Sequence, residues 1–251
     1  MWEVIEIKRL FILLIVPLIL LININVNALG FGLSGIGKNM RPNVGGYKNI
    51  IESNGGVYIG PDTKEIYLTF DCGYENGYTL SMLDTLKENN VKALFFITGH
   101  YLNSSKDIVK RMIDDGHLVG NHTYTHKDFS KSSNEQILED IRKLEKEYES
   151  IMGVSMSKYV RPPRGDFDER SLKLLKDNGY TSVFWSLAYV DWDKSKFNGN
   201  NYSYDRVMSR IHNGAIILMH TVSKDNESDL DKIIKSLKSD GYIFKSINNM
   251  I

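Results

Sequence analysis

The residues with the most chemistry in this 251-residue sequence stand at the ends of short apolar runs. They are Asp71 after residues 66–70, His122 and His126 after Leu118-Val119, Arg161 before Pro162-Pro163, and His220 after residues 216–219. A carboxylate in such a position can act as a general base, an imidazole can bind a metal ion or donate a proton, and an arginine can keep a nearby carboxylate ionised. Each residue alone could be a turn, surface or core residue, but together they predict one site.

The pair His122 and His126 has a four-residue spacing, which puts both side chains on one face of a helix and equally of a strand. Imidazole suits zinc, nickel or cobalt. The alternative is a pair of ordinary surface or core histidines.

His220 ends a strongly apolar run, where a titrating group is costly unless it has a partner. We expect Asp191 to be that partner, because an Asp–His pair holds one tautomer and supports the charged imidazole that a general acid needs. A hydrogen-bonded core histidine is the alternative.

The elements that position these residues are strands and helices in alternation. We predict strands near 65–70, 92–97, 117–121, 158–161, 181–185, 215–219 and 242–246, and helices near 77–90, 104–115, 134–152, 168–178, 203–212 and 227–239. We expect Asn134 to cap the third helix. Such alternation predicts an α/β fold with parallel strands and right-handed crossovers. Seven strands favour an irregular (β/α)7-type barrel over an open sheet.

Composition and the N-terminus indicate the surroundings of this domain. Equal numbers of acidic and basic residues, 31 of each, give a formal net charge of zero, which argues against a nucleic-acid partner. A single cysteine, Cys72, excludes an intrachain disulfide. Lys8-Arg9, an uncharged run over residues 10–22 and the small residues around Ala28 predict an export signal or an uncleaved anchor. A buried helix of the domain is the alternative.

The predicted organisation is a signal peptide or membrane anchor at residues 1–28, a Gly/Asn-rich leader at 29–63 and a catalytic domain at 64–247. The leader should run extended or wrap onto the domain with little regular structure.

The order of motifs resembles the polysaccharide deacetylases, also called the NodB-homology domain or carbohydrate esterase family 4. The motifs are Thr69-Phe70-Asp71-Cys72-Gly73, His122-Thr123-Tyr124-Thr125-His126, Arg161-Pro162-Pro163-Arg164-Gly165, Asp191-Trp192 and Leu218-Met219-His220. A narrower match, over residues 74–79, 161–165, 184–192 and 220–226, is similar to the sporulation branch. Members of that branch remove the N-acetyl group of muramic acid in peptidoglycan and lead to the muramic δ-lactam of the spore cortex.

The resemblance implies a metal-dependent N-deacetylase of peptidoglycan strands, with zinc as the expected metal. We expect a monomer, which the N-terminal segment would place at the cell-wall side of the membrane. Asp71 would be the base, held by Arg161, and His220, oriented by Asp191, the acid. His122 and His126 would bind the metal. A backbone N–H near Arg164 would hold the oxyanion, while Trp192 and Leu218 would line the acetate pocket.

Cys72 departs from the family pattern, in which a second aspartate at this position binds the metal. The cysteine could bind zinc as a thiolate. It could instead pack behind Asp71 and leave two histidines as ligands. Two other functions therefore stay open: a deacetylase of chitin-like N-acetylglucosamine polymers, and a non-catalytic glycan-binding wall protein with a degraded metal site.

Overall fold

The computed structural model describes residues 29–31, 33 and 37–250, and within them the chain forms nine strands. The strands are β1 (Leu29–Gly30), β2 (Glu65–Cys72), β3 (Leu94–Ile97), β4 (Leu118–Asn121), β5 (Tyr159–Val160), β6 (Asp166–Phe167), β7 (Thr181–Ser182), β8 (Ala215–His220) and β9 (Ile243–Phe244). All seven predicted strands are present. β1 and β6 pair antiparallel in a separate small sheet.

The described residues also form eight α-helices. They are α1 (Tyr47–Ser53), α2 (Thr79–Glu88), α3 (Gly99–Ser104), α4 (Lys106–Asp114), α5 (Asn134–Met152), α6 (Glu169–Asp177), α7 (Tyr202–Met208) and α8 (Lys224–Ser239). The six predicted helices are among them. The predicted cap of α5 was wrong by one residue: Ser133 accepts a hydrogen bond from the Gln136 N–H, and the Gln136 side chain accepts one from the Ser133 N–H. This reciprocal pair satisfies two donors of the first turn, which Asn134 could not do.

The main sheet is parallel at every pairing, as predicted. Its order is β7-β5-β4-β3-β2-β8, and β9 pairs with the start of β2. The chain continues from edge strand β7 to Leu187, which bridges Ile217 of the opposite edge strand β8. The Leu218 N–H donates to the Leu187 carbonyl at 2.9 Å. The sheet therefore curls until one segment connects its two edges, which produces the irregular barrel expected from the sequence.

The two faces of the sheet carry different residues because side chains alternate along a strand. In β2, Ile66, Leu68, Phe70 and Cys72 pack in the apolar layer beneath the outer helices. The intervening residues face the interior of the barrel, where Tyr67 joins a second apolar cluster. Asp71 and Cys72 therefore lie on opposite faces although they are neighbours in sequence.

The segment before β2 contains more regular structure than the sequence indicated, since α1 lies within it. Phe31, Val44, Ile51 and Tyr58 are buried in the interior cluster. The described part of the predicted leader therefore packs on the domain. The predicted signal or anchor at residues 1–28 lies outside the described residues. Among those described, no helix is long and apolar enough to cross a membrane.

Candidate active site

Asp71 lies at the carboxyl end of β2 and forms a buried ion pair with Arg161. Arg161 Nη1 donates to Asp71 Oδ1 at 2.7 Å, although the two residues are 90 apart in sequence. Burial by itself would raise the pKa of Asp71, but the charges of Arg161 and His122 outweigh it and lower that pKa. The carboxylate is therefore held ionised, with Arg161 fixing one oxygen as the sequence suggested.

Arg161 is fully buried, and every hydrogen bond of its guanidinium restrains its orientation. Nη2 donates to Thr69 Oγ1 at 2.9 Å, and Nε donates to the Val183 carbonyl at 3.0 Å. The guanidinium carbon lies 4.3 Å from the centre of the Phe96 ring. A Cβ on Gly120 would come within 2.8 Å of that ring, so this glycine makes room for it. The buried charge is thus paired, hydrogen-bonded and stacked, as its cost of desolvation requires.

His122 and His126 come together in the loop that follows β4, with ring centres 4.9 Å apart. The sequence prediction of a helix or strand face was wrong. Thr123 and His126 adopt left-handed backbone conformations, with φ of 62° and 57°. The Thr123 N–H donates to Asn121 Oδ1 at 2.8 Å, which stabilises the turn. Local side-chain hydrogen bonding therefore replaces a regular element here.

The two imidazoles suit a divalent metal ion. His122 Nδ1 lies 3.0 Å from the Arg161 carbonyl, which can only accept, so Nδ1 carries the proton and Nε2 carries the lone pair. Nε2 is 3.4 Å from Asp71 Oδ2. Burial lowers the pKa of His122. Burial is also the main cause, and the neighbouring His122 the second, of a pKa of about 4 for His126. Both rings are neutral near pH 7, and a carbonyl that fixes the tautomer is the usual support of a metal-binding histidine.

Cys72 is not brought to this pair. Its side chain is fully buried in the outer apolar layer, and the Thr221 hydroxyl donates to its sulfur at 3.5 Å. Burial raises the pKa of the thiol well above its usual value, so the thiol is protonated. The described residues contain no group of three or more His, Cys, Asp or Glu side chains arranged to hold a metal ion. Of the two interpretations of Cys72, its geometry favours packing behind Asp71.

His220 lies beside Asp71, because the register of β2 and β8 pairs these two residues. His220 Nδ1 is 2.7 Å from Asp191 Oδ1, so the predicted pair is present. Burial would lower the pKa of His220, but the charge and hydrogen bond of Asp191 outweigh it and raise that pKa. The imidazole is therefore suited to hold a proton on the side of the cleft across from His122.

Asn226, near the start of α8, was not assigned a role from the sequence. Its Nδ2 donates to Asp191 Oδ2 at 2.6 Å and to the His220 carbonyl at 2.9 Å. Its Oδ1 accepts from the Tyr189 and Ser203 hydroxyls at 2.7 and 2.6 Å. These bonds use both ends of a fully buried amide to hold Asp191 in place. No local sequence pattern marks an asparagine near the start of a helix for such a role, because all its partners lie in other parts of the chain.

These groups open into one cleft of about 1020 Å³. Leu218 forms part of its wall, and Trp192 lies at its surface, 58% exposed, with its ring centre 6.0 Å from that of His220. Arg164 also lines the cleft, in a turn with φ of 58° that follows Pro162 and Pro163. Its side chain is held by Asp128 and Asp166. The cleft is therefore lined by all the site residues predicted from the sequence except three. Arg161 and Asp191 lie beneath it and contact residues that line it, and Cys72 faces the outer apolar layer.

The site thus combines, at the carboxyl edge of a parallel α/β barrel, the Asp71–Arg161 pair, two histidines and the His220–Asp191 pair. Residues 59–183 match the family model described as polysaccharide deacetylase. Together with the relatives below, this match shows that the chain belongs to the polysaccharide deacetylase family.

Three relatives show how widely the likeness extends. An uncharacterised 30.6 kDa protein of Geobacillus stearothermophilus is 48% identical over 82% of this chain and 78% of its own length. The peptidoglycan-N-acetylmuramic acid deacetylase PdaA of Bacillus subtilis is 45% identical over 81% of this chain and 78% of its own. The solved structure of PdaA, a family 4 carbohydrate esterase, superposes with a TM-score of 0.86 and 42% identity, covering 89% of this chain and 97% of that chain.

The third relative is a pseudoenzyme of the same esterase family from Bacillus anthracis. Its structure superposes with a TM-score of 0.71 and 30% identity, covering 78% of this chain and 68% of that chain. The predicted family and fold are thus confirmed, and the family also includes a pseudoenzyme.

Proposed function

We propose that this protein hydrolyses the acetamide of N-acetylmuramic acid residues in peptidoglycan. The observation that carries the proposal is the pairing of Asp71, held ionised by Arg161, with His220, held by Asp191, across neighbouring strands of one cleft. An ionised carboxylate and a proton-bearing imidazole beside each other are what amide hydrolysis requires. The similarity to PdaA supports muramic acid as the sugar.

In the proposed reaction, Asp71 accepts a proton from a water molecule whose oxygen bonds to the acetyl carbon. The Nε2 proton of His220 then passes to the amide nitrogen as the carbon–nitrogen bond breaks. The products are acetate and the free amino sugar. Asp191 stabilises the charged imidazole before the transfer, because its Oδ1 lies 2.7 Å from His220 Nδ1.

The acetyl group would lie between these residues, with its methyl against Leu218 and Trp192. The backbone near Arg164 would donate to the developing oxyanion, a contact that strengthens in the transition state. The chemistry that a divalent metal ion supplies when bound by His122 and His126 is polarisation of the carbonyl and a lower pKa of the attacking water. Zinc suits two neutral imidazoles with open positions for water or substrate.

The proposal extends to the biological setting. The basic and apolar N-terminal segment supports export or anchoring at the cell-wall side of the membrane. On a strand without stem peptides, the freed amine and the lactyl carboxyl of the same sugar can join with loss of water, which leads to the muramic δ-lactam of the spore cortex.

The test measures acetate release from purified protein, with and without added zinc. The substrates are peptidoglycan strands lacking stem peptides, intact peptide-bearing strands, and chitin oligomers, and the products are analysed by mass spectrometry. We expect acetate and muramic acid residues lighter by one acetyl group from the peptide-free strands. Faster release from chitin oligomers would assign the protein to the neutral polymers instead.

A second function is favoured by one observation, the absence of a third metal-ligand side chain among the described residues. A glycan-binding wall protein without activity would be a counterpart of the Bacillus anthracis pseudoenzyme of the same esterase family. Such a protein would release no acetate from any of the three substrates at any metal concentration, but would still bind the strands. The retained acid, base and orienting partners favour the enzyme.

A further inference from the structure

Positively charged side chains outnumber carboxylates along the cleft, although the chain has a formal net charge of zero. Among the described residues that line it, Asp71 is the one carboxylate, and Arg161 neutralises it. The lining cations are Arg164, Lys194, Arg206 and Arg210. A low-dielectric cleft with charges of one sign concentrates ligands of the opposite sign. The cleft therefore favours an anionic ligand over a neutral polymer.

Of these cations only Arg164 pairs with carboxylates among the described residues; Lys194 and the two arginines Arg206 and Arg210 do not. The two arginines lie four residues apart, on α7 and just beyond it. Arg206 is exposed, and its guanidinium carbon lies 5.1 Å from the centre of the Tyr202 ring. Arg210 donates to the carbonyls of Ala188 and Arg206 at 2.8 and 3.1 Å. Within the described part of the chain, neither guanidinium forms an ion pair with a carboxylate.

The Arg210 guanidinium has more hydrogen-bonding capacity than its surroundings satisfy. Its Nη2 is buried and has no hydrogen-bond partner among the described residues. Burial and the neighbouring charge of Arg206 lower the pKa of Arg210, in keeping with the lack of a carboxylate partner among the described residues. A buried, uncompensated donor costs stability, and such a cost is retained where a ligand satisfies it.

This pair is anchored to the loop that carries the proposed acid's partner. Arg210 holds the carbonyl of Ala188, and the Tyr202 hydroxyl donates to the carbonyl of Val190 at 3.1 Å. Ala188 is three residues from Asp191, a span of at most about 11 Å. Both arginines therefore line the same cleft as His220, and Arg210 is hydrogen-bonded to the segment that leads to Asp191.

We infer that Arg206 and Arg210 bind a carboxylate of the glycan next to the acetamide that is removed. This inference rests on the proposed function, under which the carboxylate belongs to the lactyl group of muramic acid. The lactyl group is attached to the ring carbon next to the one that carries the acetamide. In peptide-bearing strands the same carboxyl is an amide and carries no charge. The pair therefore selects muramic acid over N-acetylglucosamine, and peptide-free strands over intact ones.

The experiment measures calorimetric binding of two tetrasaccharides of alternating N-acetylglucosamine and N-acetylmuramic acid. One has free lactyl carboxylates, and the other has the same groups converted to carboxamides. Binding is measured with His220→Asn, in which turnover is slow and an amide N–H can replace Nδ1 toward Asp191. Arg206→Gln and Arg210→Lys are added to this background, and Arg142→Gln, an exposed arginine of α5 outside the cleft, is the matched control.

We expect Arg206→Gln to weaken carboxylate binding by about 10- to 100-fold, the range of a charge-assisted hydrogen bond. Carboxamide binding should change less than about 2-fold, and Arg142→Gln should change neither. Arg210→Lys should give a smaller loss, because lysine keeps the charge but not the planar fork.

Equal effects of Arg206→Gln on the two saccharides, or no binding of either saccharide, would overturn the inference. The acetate assay separates this failure from that of the proposed function. If acetate is released from peptide-free strands but Arg206→Gln has no selective effect on binding, the carboxylate site is refuted and the proposed deacetylase activity is retained. Selective binding without acetate release refutes the deacetylase and retains the carboxylate site.

Discussion

Replacing Asp191 with asparagine should inactivate His220 by reversing one hydrogen bond. Asp191 Oδ2 accepts from two N–H donors, the His220 backbone at 2.8 Å and Asn226 Nδ2 at 2.6 Å. The carbonyl oxygen of the new amide must occupy that position, because an NH₂ group there would face two donors. The NH₂ group must then face His220 Nδ1, which becomes an acceptor. The substitution therefore favours the opposite tautomer and removes the charge that supports protonation.

The expected loss follows from the role of the acid. General acid–base catalysis contributes about 10²- to 10⁴-fold, which corresponds to roughly 3 to 5 kcal/mol of barrier. Asp191 raises the pKa of His220 above 6.5, so in the wild type activity falls as pH rises through that raised pKa. Without the charge of Asp191, the pKa of His220 is lower, because burial opposes protonation. The fall in activity with rising pH should therefore occur at lower pH. The part of the wild-type folding stability that comes from this pair is fully present below about pH 6.5. It is lost as pH rises through the raised pKa of His220.

The assay is acetate release from peptide-free glycan strands between pH 5 and about 9, a window that spans both sides of the ordinary histidine pKa. Asp177→Asn, at an exposed carboxylate of α6, is the matched control. Circular dichroism establishes that the variants are folded. An Asp191→Asn protein with the wild-type rate and an unshifted alkaline limb would refute the assignment of His220 as the acid.

Three further predictions concern the base, the cysteine and a histidine outside the site. Asp71→Asn should reduce turnover by about 10²- to 10⁴-fold in the acetate assay. It should also lower the free energy of unfolding in urea by about 3 to 5 kcal/mol, because Arg161 loses its buried partner. Near-normal turnover in a folded Asp71→Asn protein would exclude Asp71 as the base. Cys72→Ala should leave the zinc content of the purified protein unchanged, since the thiol faces the outer layer, and a drop relative to wild type measured alongside would instead make it a ligand. His117 is buried, and burial lowers its pKa to about 4, so stability should fall as pH falls from about 6.5 toward 4, by up to about 3 kcal/mol. His117→Gln, which can still accept from the Ala93 N–H, should flatten that part of the stability curve, and an unchanged slope would contradict the shifted pKa.

The elements of this fold could be read from the sequence because each depends on a local period. The apolar run near residues 66–70 and the helical periodicity of residues 134–152 can each be recognised within a short stretch of the chain. Strand–helix alternation then restricts the strands to parallel pairing. Asp71 and His220 were recognisable for the same reason, since each is a titrating residue at the end of an apolar strand.

Local patterns failed where the backbone departs from a regular period. The spacing of His122 and His126 suggested a helix or strand face, but two left-handed residues bring the rings together in a loop. The short helices α1 and α3 were missed because each is too short to show a clear periodicity. The cap of α5 was misplaced by one residue because Ser133 and Asn134 are both good capping residues.

The sequence by itself determined which residue types are available for chemistry and at which strand ends they stand. Only the tertiary structure decided which of them meet. The register of β2 and β8 places Asp71 beside His220, and the sheet order lets Arg161 reach Asp71 across 90 residues. The alternation of faces turns Cys72 away from the histidines. These outcomes depend on pairings between distant segments, whose energies come from packing the whole barrel, so no window of the sequence contains them.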